Sequence, residues 1–107
     1  MSESNRIEYK SQLTDGLEKE VVAFLNYREG GVIYLGVDDQ GKAIGLKDCD
    51  DLQLKIKDRF RNNILPSCLG LFDISLEKRG DKDIVKITVA AGSEKPYYLK
   101  KQGMSER

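Results

Sequence analysis

A chain of 107 residues is the size of one domain and is long enough to bury roughly 65% of the surface its unfolded form exposes. Its 18 basic and 18 acidic residues cancel, so no net field draws it to nucleic acid or to an anionic membrane, and any such binding must come from a local patch. Histidine is absent, which removes Ser-His-Asp and Cys-His catalysis and the commoner zinc sites at once.

From residue 7 to residue 13 the chain alternates, with Ile7, Tyr9 and Leu13 expected on a buried face and Glu8, Lys10 and Gln12 on an exposed one, as in a half-covered strand. Thr14 then reads as a helix cap. Asp15 suits the positive end of that helix, and Leu17, Val21, Phe24 and Leu25 recur at helical spacing to about Arg28. Gly30-Gly31 supplies the backbone freedom that ends a helix.

Val32, Ile33, Tyr34 and Leu35 are a continuous apolar run, which predicts a strand covered on both faces. Gly36, Val37, Asp38, Asp39, Gln40, Gly41 and Lys42 make a polar turn holding two adjacent carboxylates, and the AIGL that follows reads as strand. Asp50 or Asp51 opens a second helix, in which Leu52, Ile56, Phe60 and Ile64 repeat every fourth residue until Pro66. Its outer face carries Lys55, Lys57, Arg59 and Arg61.

Phe72, Ile74 and Leu76 alternate with Asp73, Ser75 and Glu77; the turn RGDK at 79–82 follows, and then Val85, Ile87 and Val89 alternate with Lys86 and Thr88. This predicts an antiparallel hairpin. A short strand at 97–99, after Pro96, suits the edge of the sheet. The order gives an α+β fold: a mostly antiparallel mixed sheet with two helices packed on it, as a two-layer sandwich.

Cys49 and Cys68 fit neither a CxxC nor a metal-ligand spacing and read as reduced thiols of a cytoplasmic protein. No apolar run approaches the ~20 residues of a membrane helix, and MSESNRIEYK lacks the apolar core of a signal peptide, so no membrane partner is expected. The chain stops in a polar, basic segment, KPYYLKKQGMSER, with no closing element. Residues 1–107 are therefore expected to be one domain from the N-terminal part of a longer protein.

Three patterns carry chemistry. Pairing of the first strand with the central one would bring Glu3 and Glu8 toward Asp38 and Asp39. Two like charges about 4 Å apart repel by roughly 4 kcal/mol at an effective dielectric near 20, so convergent carboxylates call for a cation, either Lys10 or a hard divalent ion such as magnesium or manganese. The structural alternative puts Glu8 against Lys10 and leaves the aspartates as a turn. Second, GVDDQGK nearly matches the phosphate loop GxxxxGK[ST], but Ala43 replaces the metal-binding hydroxyl, and no helix follows for a phosphate to face. ATP is not expected there. Third, Lys42, Lys95, Lys100 and Lys101, with Tyr97 and Tyr98, would follow a phosphate backbone while an aromatic packs on a base or sugar.

ESNRIEYK, AFLN with EGG, the strand into GVDDQGKAIGL, the helix ending at ILP, and KPYYLKKQG together resemble the Schlafen-type Alba-like (AlbA_2) domain, once labelled a divergent AAA ATPase. The resemblance covers nearly the whole chain. It implies a DNA- or RNA-binding domain, in bacteria and archaea often the N-terminal part of a transcriptional regulator with a further C-terminal region. In the animal Schlafen relatives two glutamates and an aspartate form a metal-dependent ribonuclease site. Carried over by motif, these are Glu3, Glu8 and Asp39. Those relatives use a larger, two-lobed architecture, so this single lobe would have to dimerise to rebuild their cleft.

The leading expectation is a nucleic-acid-binding module whose Lys10, Lys42, Lys100 and Lys101 contact phosphates, acting as a dimer or other homo-oligomer. Two alternatives stand beside it. One is a magnesium- or manganese-dependent endoribonuclease with Glu3, Glu8 and Asp39 as catalytic metal ligands. The other is an oligomerisation module that pairs through its edge strands.

Overall fold

The computed structural model describes residues 6–100. Strand β1 (Ile7–Lys10) leads through helix α1 (Leu17–Asn26) to β2 (Gly31–Leu35), which lies parallel to β1 with Ile7 level with Val32 and Lys10 level with Leu35. Helix α2 (Cys49–Asn63) runs into β3 (Ile64–Leu65), and β4 (Phe72–Arg79) and β5 (Lys82–Val89) form the expected hairpin before β6 (Tyr98–Leu99). The main sheet runs β1-β2-β5-β4, parallel in the first pair and antiparallel in the other two. The α+β reading holds, with both helices on one side of a mixed sheet.

The core lies between those layers. Leu17, Val21, Phe24 and Leu25 of α1 and Ile56 and Phe60 of α2 meet Ile33, Leu35, Val85, Ile87 and Val89. Phe60 closes edge-on against Phe72, with ring centroids 5.0 Å apart. Each fully buried aliphatic of this kind stabilises the fold by about 1.5–3 kcal/mol.

The Gly30-Gly31 pair works as two different devices. Gly30 has φ +69, and a Cβ there would lie 2.1 Å from the Val89 carbonyl oxygen, so backbone geometry and backbone crowding both demand glycine. At Gly31 it is the Phe24 ring that fills the place of a side chain, 2.3 Å from where a Cβ would sit.

Several local expectations need correction. Thr14 does not cap α1: the cap is Gly16, with no side-chain hydrogen bond, and the Thr14 carbonyl instead accepts from Arg59. Helix α2 begins at Cys49 after Asp48, and it ends at Asn63, so Ile64 is buried as a strand residue. β6 pairs with β3 in a separate two-stranded sheet rather than at the edge of the main one. Arg59, placed by spacing on an outer charged face, turns inward to Glu18.

β2 is covered on one face only. Ile33 and Leu35 are buried beneath the helices, whereas Val32 and Tyr34 are half-exposed on the other side. β1 presents the reverse of the expected faces: its register sets Glu8 and Lys10 beside Ile33 and Leu35, and Tyr9 beside Tyr34 on the open side. The reason is its position at the sheet margin, where Lys10 reaches Glu20 of α1 at 3.3 Å and Tyr9 finds an aromatic neighbour.

Candidate functional site

Strand register defines what the open face displays. Tyr9, Tyr34, Lys86 and Ser75 fall on one line across β1, β2, β5 and β4, with Ile7, Val32, Thr88 and Asp73 on the next. The Tyr9 and Tyr34 rings stand 5.9 Å apart, tilted by 34°. Two cations attend Tyr34: the Arg79 guanidinium carbon is 4.8 Å from its centroid and the Lys86 ammonium 6.0 Å. Both are within the range in which a cation is drawn to an aromatic face.

Arg79 is oriented by a hydrogen bond to Glu77 at 3.0 Å, which raises its pKa still further, while Lys86 forms no salt bridge with another described residue. Tyr9 is 37% exposed. An exposed ring beside held cations on a flat sheet stacks a planar ligand while neutralising a nearby anion.

The acidic hairpin leans over the same face. Its base is fixed by β1, since the amides of Gly36 and Val37 both donate to the Lys10 carbonyl, at 2.8 and 3.1 Å. At its tip a Cβ on Gly41 would lie 3.6 Å from the Tyr9 ring. At its far side Leu46 N donates to the Asp83 carbonyl at 2.8 Å, and Ile84, on the open face by register, is fully buried beside Gly36 and Leu46. Of the expected AIGL strand only an isolated bridge between Val37 and Ala43 forms. The loop opens no helix, so it offers no phosphate cradle of the P-loop kind.

Within the hairpin the two aspartates differ. Asp38 accepts from the amides of Gln40 and Lys42, both at 2.9 Å, and so builds the turn, while Asp39 is exposed beside it. Glu8 is half-buried on the helix-facing side of β1, the side away from Tyr9 and the hairpin tip. Glu3 lies outside the described residues. Among the described residues no three acidic, cysteine or histidine side chains gather closely enough to hold a metal ion.

The basic residues expected at the site separate. Lys10 is committed to Glu20, Lys42 is exposed on the hairpin, and Lys100 is exposed some way off, its amide donating to the Asn63 carbonyl at 2.7 Å. Lys101 lies outside the described residues. Tyr97, expected in an aromatic patch, is 3% exposed and belongs to the core, leaving only Tyr98 of that pair on the surface.

Lys100 also lines a cavity of about 680 Å³ with Asp15, Glu18, Arg59, Asn63 and Leu99. Three of its polar groups, Glu18, Arg59 and Asn63, answer one another. The Glu18 carboxylate is buried, receives Arg59 Nε at 2.8 Å, a second Arg59 nitrogen, and Asn63 Nδ2 at 2.7 Å. Burial alone would raise its pKa, but these hydrogen bonds and the Arg59 charge outweigh burial and hold it below the ordinary carboxylate value. This cluster ties α1 to α2.

Sequence reasoning missed Tyr34, Arg79 and Lys86 as a unit. The signal was the strand alternation that puts Lys86 outward; what it lacked was the register setting Lys86 beside Tyr34.

Comparison with known proteins matches residues 3–106 to the family model described as Schlafen, AlbA_2. The fold is similar to the solution structure of the N-terminal domain of a Nitrosomonas europaea protein named for its relation to the ATP-dependent DNA helicase RecG, with TM-score 0.79 and 29% identity over 96% of this chain and 75% of that one. It is also similar in fold to the crystal structure of the DIP2311 protein from Corynebacterium diphtheriae, with TM-score 0.62 and 22% identity over 91% of this chain but 20% of that one. No curated protein matches the chain.

Proposed function

The chain belongs to the Schlafen AlbA_2 family, and from that premise we propose that it is a nucleic-acid-binding domain that lays a single strand across the open face of its sheet. The observation that carries this reading is the Tyr9–Tyr34 pair with Arg79 and Lys86 held at Tyr34. Every base has a π-face, so aromatic rings beside cations bind an unpaired strand with little regard to sequence. Lys42 on the hairpin extends the cationic margin past Tyr9.

The relative named for a DNA helicase supports a nucleic-acid setting, and a place in a larger prokaryotic regulator or nucleic-acid-processing protein follows as part of the same proposal. Fluorescence anisotropy with labelled single-stranded DNA, single-stranded RNA and duplex DNA over a salt series tests it. Single strands should bind more tightly than duplex, with affinity falling linearly on a log-log salt plot. Absence of binding at low salt, or preference for duplex, overturns it. Parallel incubation of RNA with magnesium or with chelator tests the acidic residues: cleavage that needs magnesium and is lost in Asp39→Ala and Glu8→Ala would add a nuclease activity to the binding.

A further inference from the structure

We propose that two copies of this chain join through the exposed edge of β4, merging their sheets into one. β4 is a long terminal strand of the main sheet, bonded to β5 on one side and to no described strand on the other. Such an edge is a template for another strand. Two large apolar side chains stand exposed beside it. Leu76, which register places on the helix-facing side with Val85, is 45% exposed, and Leu54 of α2 is 66% exposed. Gln53, Leu54, Lys57, Phe72, Asp73 and Ile74 line a cavity of about 240 Å³ between that helix and the strand.

The charges on β4 identify the occupant as a second copy. In an antiparallel pair, residues directly opposite share a face, so a two-fold axis that keeps both helix layers on one side must centre on a residue of β4. Two such registers use nearly the whole strand. Centring on Ser75 sets Asp73 against Glu77 twice, which opposes like charges. Centring on Leu76 instead sets Asp73 against Arg79 twice, Ser75 against Glu77, and Leu76 against its own copy. Opposite charges face each other, Arg79 meeting Asp73 of the second copy while keeping its own Glu77 at 3.0 Å, and the exposed leucines cover one another at the axis. Asp73 and Arg79 stand equally far on either side of Leu76, the self-complementarity that an isologous interface needs and that a foreign strand would match only by accident. The merged sheet would present two open faces side by side, but the pairing itself needs no nucleic acid.

Sedimentation analysis of the whole chain over a concentration series, without nucleic acid, tests the proposal. The expected result is a monomer–dimer equilibrium that Leu76→Glu or Asp73→Arg shifts at least tenfold toward monomer, with circular dichroism unchanged. The double reversal Asp73→Arg with Arg79→Asp should restore the dimer, which keeps the test decisive even if Leu76→Glu fails to fold. Diamide oxidation in a Cys49→Ser background reads the register directly: Leu76→Cys should cross-link to itself and Ser75→Cys should not. A monomer at every concentration, a dimer indifferent to these changes, or equal cross-linking at 75 and 76 overturns it. Because the readout is mass, failure here leaves the nucleic-acid reading untouched.

Discussion

Asn26 and Tyr97 hold each other through both ends of one carboxamide: Asn26 Nδ2 donates to the Tyr97 carbonyl at 3.0 Å, and Asn26 Oδ1 accepts from the Tyr97 amide at 2.7 Å. The side chain imitates a strand partner for a buried residue. It fastens the segment leading to β6 onto the end of α1, while Gly92 donates to the Leu25 carbonyl nearby at 2.8 Å.

Removing that side chain leaves a buried amide and carbonyl unpaired. Asn26→Ala should therefore lower unfolding stability by about 2–3 kcal/mol, the cost of stranding buried polar groups. Asn26→Asp should do no better, because a carboxylate cannot donate to the Tyr97 carbonyl. Urea denaturation followed by circular dichroism checks both; a loss below about 0.5 kcal/mol in each would show that water replaces the side chain.

Gly30 lies four residues further on and tolerates no side chain. Gly30→Ala combines a left-handed φ with a Cβ 2.1 Å from a backbone oxygen, and should cost about 2–4 kcal/mol. Gly80, also at positive φ but with nothing within 4 Å of its added Cβ, is the control. Gly80→Asn should cost less than about 1 kcal/mol, since asparagine tolerates that backbone region in a turn. Thermal melts of the two variants separate crowding from conformation.

How far the sequence discloses this molecule depends on what each pattern encodes. The helical stripe of Leu17, Val21, Phe24 and Leu25 and the alternations of β4 and β5 encode burial directly, and these elements stand where spacing puts them. The apolar run Val32 to Leu35 does not distinguish two covered faces from one, because Tyr34 is amphipathic and shelters its ring under Arg79 and Lys86 while staying half-exposed. The faces of β1 invert for a related reason: at a sheet margin Lys10 satisfies its charge on the helix side, against Glu20. The site suffers most from this. Lys10 reads as a phosphate contact because charge is visible in a sequence, whereas the grouping of Tyr9, Tyr34, Lys86 and Arg79 exists only once four strands are set in register.

The Glu18–Arg59 pair predicts how stability responds to acid. Arg59→Ala leaves the buried Glu18 carboxylate without its cation, with only Asn63 and its own backbone amide as partners, and should cost about 3 kcal/mol at neutral pH, the low end for breaking a buried pair because Arg59 keeps some contact with water. Glu18 has a lowered folded-state pKa, so its contribution is fully present above the unfolded value near 4.5 and is lost as pH falls through the folded value. The stability gap between the parent chain and Glu18→Gln should therefore stay constant from pH 7 to about 5.5 and narrow below about 4.5. A gap that widened on acidification would mean that Glu18 is protonated more readily in the folded state than in the unfolded one.

At the open face, stacking and charge separate by how each responds to salt. Tyr9→Ala removes an exposed ring, and loss of one base stack should weaken single-strand binding by about 1–3 kcal/mol, roughly five- to more than a hundredfold, at every salt concentration alike. Tyr9→Phe should retain most of the affinity, since the ring and not the hydroxyl makes the stack. Lys86→Ala should act differently. Loss of one phosphate neutralised should reduce the magnitude of the log-log salt slope by about 0.7 for a single strand, so its effect is largest in dilute salt and fades as ions screen the strand. Arg79 is braced by Glu77 and lies over Tyr34, so Arg79→Lys should lose part of the stack and part of the charge effect together, because a lysine ammonium lacks the planar face that covers the ring. Anisotropy titrations of the four variants at three salt concentrations measure both quantities. Parallel salt lines for Tyr9→Ala and converging ones for Lys86→Ala would assign the ring to the bases and the ammonium to the backbone; identical responses would place the strand elsewhere on the molecule.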